Sequence, residues 1–245
     1  MAPSLVLVAS EAQQGYDPHQ TESESALEIA RNGWHSNAKF VRFQHLDEIP
    51  LAMGEVLGEG SLTAVYKTRL SGITAACKLK RHRGKSRPKG WKERDILEML
   101  QNRHVVNLLG SFEVSKPCLT TGILLWPVAV CTLDDLLRDI SALDIQIRNG
   151  PSDDWEIPLS VQALLCNLNF KPEALPRLKL LLCQLFGCLA DAVAYIHSQN
   201  VKHKDIKPAN LVIGNWWYLL YALFVCPNWN YEGLGMLVTV LRCSQ

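Results

Sequence analysis

The chain has 245 residues, 48% hydrophobic and 20% charged, enough to bury a substantial core in one or two domains. Its 25 basic and 24 acidic residues leave a net charge of +1, so no global field points to nucleic acid or to a membrane surface as partner. Eight cysteines lie scattered without a C-x-x-C pair, which argues for reduced thiols in an intracellular protein, cytoplasmic or nuclear, over a disulfide frame or a zinc site. No run approaches the roughly 18 apolar residues of a membrane-spanning helix. The short apolar stretch near the N-terminus has no basic lead-in and does not read as a signal peptide.

Residues 1–45 mix Gln, Ser, Glu and Asp, interrupted by Gly15, Pro18 and Gly33. They are expected to form a weakly ordered extension, with two turns of helix at most around residues 25–31. The pattern sharpens in residues 51–70 (LAMGEVLGEGSLTAVYKTRL), which offer β-prone residues, then Gly58 and Gly60, then Val65-Tyr66-Lys67. A strand, a tight glycine turn and a returning strand would present backbone N–H groups to a phosphate chain. By themselves two glycines fit a plain hairpin equally well. Residues 73–80 (ITAACKLK) read as an apolar strand delivering Lys78, and a lysine in an apolar run is costly without an anionic partner. Taken alone it would be a surface lysine at a strand end.

Residues 78–94 hold nine Lys or Arg and one Glu. Such a run can be a nuclear address or a nucleic-acid patch; a solvated strand-to-helix loop is the preferred reading. Residues 91–102 (WKERDILEMLQN) place apolar side chains at 91, 96, 97, 99 and 100, one face of a helix. Glu93 and Glu98 on it are rival acids for Lys78, or exposed helix pairs. Residues 104–114 and 119–126 read as two further strands. Thr132 is a candidate N-cap for a short helix over 132–140 with an acidic first turn. Residues 141–175, with a turn-forming run at 149–154 and with Pro158, Pro172 and Pro176 expected to prevent a long helix, look like a surface insertion. The clearest helix spans 178–197, apolar at 178, 181, 182, 185, 189, 192, 193 and 196.

That helix leads into residues 201–213, VKHKDIKPANLVI. An Asp, a Lys two residues on and an Asn five residues on suit phosphoryl transfer. Asp205 can accept a proton from an attacking hydroxyl, Lys207 can steady the moving phosphoryl group, and Asn210 can hold a metal ion. The stretch resembles the catalytic loop of protein kinases, His-Arg-Asp-Leu-x-x-x-Asn, and its Lys two past the Asp is the Ser/Thr form.

The resemblance extends backwards. Gly58, Gly60 and Val65 match the kinase glycine-rich loop, with Thr63 where its third glycine belongs; Leu57 joins them in the implied ATP-binding set. Ala75-Ala76-Cys77-Lys78 is similar to the Val-Ala-Ile-Lys strand, which implies that Lys78 grips the phosphates and that Glu93 pairs with it. Residues 126–128 would then be the hinge that meets adenine. Pro127 has no N–H, so Val128 is the candidate donor, with Leu125 behind the pocket. The implied fold is α+β: a protein-kinase-like, two-lobed architecture. A five-stranded antiparallel sheet and a regulatory helix make the N-lobe (46–130). Residues 131–213 begin a helical C-lobe that is incomplete.

The resemblance is expected to stop after Gly214. Where the family has the Asp-Phe-Gly whose Asp binds Mg²⁺, this sequence has Leu223-Phe224-Val225, and residues 216–225 are ten consecutive apolar residues. Residues 214–245 thus read as a divergent apolar tail, an alternative C-terminus of a truncated kinase domain. Two functions remain. One is an ATP- and Mg²⁺-dependent Ser/Thr protein kinase acting on a protein hydroxyl, with activity impaired by the missing metal site and activation segment. The other is a non-catalytic kinase-like module that binds nucleotide or protein. Binding of nucleic acid through residues 78–94 is the weakest reading.

Overall fold

The computed structural model describes residues 18–35, 39–82, 91–150, 157–164, 175–214 and 220–222. Strands β1 (Phe40–Phe43), β2 (Val56–Glu59), β3 (Thr63–Leu70), β4 (Ile73–Arg81), β5 (Asn107–Val114) and β6 (Thr120–Trp126) form one sheet in the order β1-β5-β6-β4-β3-β2. The five expected strands pair antiparallel. A sixth, β1, joins β5 in parallel, so the sheet is one strand wider than the sequence suggested. Ser71 and Gly72, at φ 50° and 84°, make the two-residue turn between β3 and β4. Positive φ at both central residues matches the right-handed twist of the flanking strands.

The extra strand comes with helix α1 (Pro18–Gly33), in the region expected to be weakly ordered. Ala30, Trp34 and Phe43 are buried there with Ala75, Cys77, Phe112 and Leu124 on one face of the sheet. Trp34 lies against Gly110, where an added Cβ would sit 2.3 Å from the indole ring; only glycine permits that approach. The Arg31 guanidinium donates to the Leu108 carbonyl at 3.3 Å and to Asn107 Oδ1 at 3.4 Å. The polar composition of residues 18–33 concealed this because three apolar side chains, widely spaced in sequence, do the anchoring.

Helix α2 (Trp91–Met99) covers the other face of the sheet, where Ile96 and Leu97 join Ala76, Ile123 and Leu125. The same apolar cluster continues into the second half through Leu133, Leu136, Leu185, Ile196 and Leu211. Strand β7 (Ala129–Thr132) and strands β8 (Leu211–Gly214) and β9 (Leu220–Ala222) form a small sheet in the order β7-β8-β9. A regular strand thus follows Gly214, a departure from the expected break: residues 220–222 offer a backbone that pairs with β8 whatever their side chains. Residues 223–245, including Leu223-Phe224-Val225, lie outside the described residues, as do 83–90 of the basic run.

Helix α3 (Leu133–Asn149) starts at a capping box: Thr132 Oγ1 accepts from the Asp135 N–H at 3.1 Å, and Asp135 Oδ2 accepts from the Thr132 N–H at 3.2 Å. It runs past residue 140 into the expected insertion, because Leu136, Ile140 and Leu143 keep one stripe buried up to Gly150, at φ 95°. Helix α4 (Leu159–Leu164) is tied to it by a hydrogen bond from Ser160 Oγ to Asp139. Residues 151–156 and 165–174 of that segment are outside the described residues.

Helix α5 (Leu175–Ser198) ends in a Schellman motif. Asn200 takes φ 58°, its N–H donates to the His197 carbonyl at 3.0 Å, and the Val201 N–H donates to the Ile196 carbonyl at 3.1 Å. Val201 and Ile196 are both buried, completing the motif's apolar contact and fixing the direction in which the next residues leave. Tyr195 Oη accepts from the Gln101 N–H at 2.7 Å, and Asp191 lies 3.5 Å from His104, which joins α5 to the loop after α2. Among the described residues no helix is long and apolar enough to cross a membrane.

Candidate active site

On β4, Lys78 stands opposite Val65 of β3 and Ile123 of β6, so its backbone is held from both sides. The strand's alternation sends Cys77 to the α1 face and turns Ala76 and Lys78 toward α2. There Lys78 Nζ meets Glu93 Oε1 at 2.6 Å, with the two side chains only 5% and 11% exposed. Glu98 is engaged elsewhere, 2.6 Å from Lys39. Helix geometry separates the rivals: five residues apart, they emerge on different sides of α2. Removing one partner of a buried pair leaves an uncompensated charge, at a cost of about 3–5 kcal/mol.

Gly58 pairs with Val65 across β2 and β3, and the Gly60 N–H donates to the Thr63 carbonyl at 2.7 Å, which closes the hairpin. A Cβ on Gly58 would meet nothing within 4 Å, and one on Gly60 would come no nearer than 3.7 Å to the Thr63 carbonyl. Neither glycine has a positive φ. The fold itself therefore does not demand glycine at either position. Leu57 is exposed on β2, while Val65 and Val128 pack half-buried against the cluster that holds Ala76 and Leu125. Val128 follows the cis peptide Trp126–Pro127.

The loop after α5 is held by its own polar groups. Lys204 takes φ 62°, and the Asp205 N–H donates to Nδ1 of buried His203 at 3.2 Å. Left-handed backbone at a lysine costs of order 1 kcal/mol, so the loop is held there by its surroundings. Asn210 Nδ2 donates to the Asp205 carbonyl and to Asp205 Oδ2, each at 2.8 Å. Lys207 Nζ lies 3.2 Å from the same Oδ2. The hydrogen bonds from Lys207 and Asn210, with the nearby positive charge, hold the Asp205 carboxyl below the usual carboxylate range. One short turn, Pro208–Asn210, brings the three side chains together. β8 then pairs with β7, setting Val212 opposite Thr132 and Gly214 opposite Ala129, so the loop's exit runs beside the connection after Val128.

The structure thus groups the sequence-derived residues in two clusters: Lys78 with Glu93, and Asp205 with Lys207 and Asn210. Sequence reasoning placed His203 in the motif that resembles the kinase catalytic loop but gave it no role; its ring accepts from the Asp205 N–H and so anchors that backbone. It missed Tyr195 and Asp191, which pattern analysis absorbs into the helix. Two cysteines near the site are chemically quiet. Burial pushes the Cys77 thiol up to about 12, and burial with Asp135 and Asp139 pushes that of Cys131 up to about 11.

A magnesium ion would need more than these residues offer. Asn210 commits its nitrogen to Asp205, which leaves Oδ1 as its ligand atom, and Asp205 Oδ2 already serves Asn210 and Lys207. Among the described residues no group of three His, Cys, Asp or Glu could hold a metal ion. Magnesium is normally held through one or two carboxylates plus phosphate and water, and the described donor set does not fit a closed site of that kind.

The family model for protein tyrosine and serine/threonine kinases matches residues 51–219. The chain belongs to the protein kinase family. No curated protein sequence matches it as a relative. The match to the kinase family begins after β1 and runs through both clusters, ending just before β9. In this kinase domain the α+β architecture is the expected one: a mostly antiparallel sheet with α2 across it, then helices.

Proposed function

We propose that this kinase domain binds ATP between its two clusters and is of the Ser/Thr type, with phosphotransfer to a protein hydroxyl weakened by an incomplete metal site. The observation that carries the reading is the buried Lys78–Glu93 pair. Two ionised groups taken out of water without a ligand to serve are weak stabilisers at best, so their burial favours a role at phosphate. The glycines at 58 and 60 support it as well, since the fold does not require them and close approach of a phosphate chain would.

In this reading Gly58 and Gly60 cover the phosphates, Leu57 and Val65 wall the base, and the Val128 N–H meets its edge. Glu93 holds the Lys78 ammonium on the α- and β-phosphates. Asp205 Oδ2 is occupied by Asn210 and Lys207, which leaves Oδ1 to accept the hydroxyl proton. Lys207 steadies the γ-phosphoryl group from beside the same carboxylate. Asn210 Oδ1 is the atom this loop could offer to a magnesium ion brought in with the nucleotide, whose chemistry there would be to neutralise phosphate charge. The scattered thiols support an intracellular location, cytoplasmic or nuclear.

A second reading, a non-catalytic module that binds nucleotide or protein, is favoured by Leu223-Phe224-Val225 at the place of the metal-binding Asp. A thermal-shift titration with ATP, with and without Mg²⁺, separates the two. A rise in Tm that needs Mg²⁺ and vanishes in Lys78→Met supports the kinase reading, and a rise without metal dependence supports the module. Direct ATP binding of Lys78→Met, measured below its own Tm, distinguishes loss of the site from loss of the fold. No ATP response in the unmodified chain overturns both as nucleotide sites.

A further inference from the structure

We propose that Lys39 and Phe40, which precede the family-matched region, are positioning residues for the Lys78–Glu93 pair, acting through helix α2. Arg94 and Glu98 stand four residues apart, on one edge of α2. Consecutive residues of the N-terminal segment meet both. Lys39 Nζ lies 2.6 Å from Glu98 Oε1, and the Arg94 guanidinium stacks over the Phe40 ring at 5.5 Å from its centroid. Arg94 adjoins Glu93 in sequence, so any rotation of α2 that frees Arg94 also carries Glu93 away from Lys78.

The packing at this edge of the helix gives these two contacts their weight. Beside α2, between it and β5, lies a half-open pocket of about 140 Å³, bordered by Leu97 and Glu98 of the helix, by Gln101 just after it, by the start of β5, and by Arg31 and Lys39. A helix with unfilled space under part of its face lacks the dispersion contacts that would otherwise fix its position. Ile96, Leu97 and Leu100 hold its inner face in the core, and the tethers act on the edge beside the pocket. β1, which continues from Lys39, is locked to β5 by its parallel ladder, and the Lys39 carbonyl accepts from the Ser111 N–H at 3.1 Å and from Ser111 Oγ at 2.7 Å. The anchor is therefore tied to the sheet, and α2 is the element that Lys39 and Phe40 would steady against it.

The proposal rests on the nucleotide reading of the Lys78 site, so its test reads helix and ligand separately. In the full chain, hydrogen exchange of the α2 amides and the Kd for ATP are measured for Lys39→Glu, Glu98→Lys and the double exchange K39E/E98K. Each single variant is expected to speed α2 exchange by about fivefold, the upper range of an exposed pair. Apparent ATP affinity should fall in the same direction and by no more than that factor, because less of the chain holds the binding-competent arrangement. The double exchange restores both. Lys39 is 77% exposed, so Tm should scarcely move, and folding does not confound the result. Unchanged exchange in the single variants, or failure of the double exchange to restore it, overturns the proposal. Exchange that responds and recovers in a chain that binds no ATP upholds the tether on α2 and overturns the nucleotide reading alone.

Discussion

The sheet half and the helical half of this molecule hold their functional groups by opposite means. Lys78 and Glu93 are brought together by long-range packing: a strand at the centre of a sheet buried on both faces, and a helix laid across it. Asp205, Lys207 and Asn210 are arranged by bonds within a few residues, launched by the Schellman turn after α5. The burial differs in the same sense. Trp34 and Phe112 close the outer face of the sheet, while α5 leaves Leu180 and Phe186 60% exposed. The first arrangement depends on the whole N-lobe staying folded; the second depends on one helix end and one turn.

Five substitutions sharpen or break that contrast. Trp34→Ala should have the largest effect, a loss of about 3–5 kcal/mol as expected for a buried aromatic, read from the midpoint of denaturant unfolding. A loss below about 1 kcal/mol would mean that the N-terminal segment is not part of the core. Glu93→Gln should follow, because Lys78 then stays buried without a counter-charge. A destabilisation of about 3 kcal/mol is expected, together with a loss of ATP response. Phe186→Ser, by contrast, should change stability by no more than about 0.5 kcal/mol, the range of exposed positions. A large loss would show that this face of α5 is covered in solution.

The smallest effect on stability belongs to Asp205, and its signature is in pH. Its carboxyl sits below the ordinary value of 3.8, chiefly through Lys207 and then Asn210. A carboxyl lowered on folding contributes stability above its unfolded pKa and loses it as pH falls through the lower folded value. A carbon-detected NMR titration should therefore place Asp205 below 3.8, and Lys207→Met should move it upward. An unchanged midpoint in that variant would remove Lys207 as the controlling neighbour. Asp205→Asn should leave the fold intact and abolish phosphotransfer in a radiolabel assay.

Much of the site was legible because its chemistry is local. The glycine hairpin, the lysine at the end of an apolar strand and the Asp-Lys-Asn spacing each sit within a short window, and a window carries spacing. The choice of Glu93 over Glu98 came from the family resemblance and not from the helix pattern, which suits both acids; the placement of Lys39 supplies the physical reason, since it gives Glu98 another partner. The roles of Trp34 and β1 were hidden, because their partners lie some seventy residues away, at Gly110 and Phe112.

By itself the sequence determined the kinase family, the alternation that turns Lys78 away from Cys77, the capped start of α3 and the composition of the loop that carries Asp205, Lys207 and Asn210. Those depend on backbone period and on side chains within reach of their own turn. Only the tertiary structure decided the sixth strand, the continuation of α3 past residue 140, the pairing of β9 with β8 and the partner that Glu98 takes. In each of these the partner is remote in the chain, and burial against it outweighs the local preference that sequence alone can read.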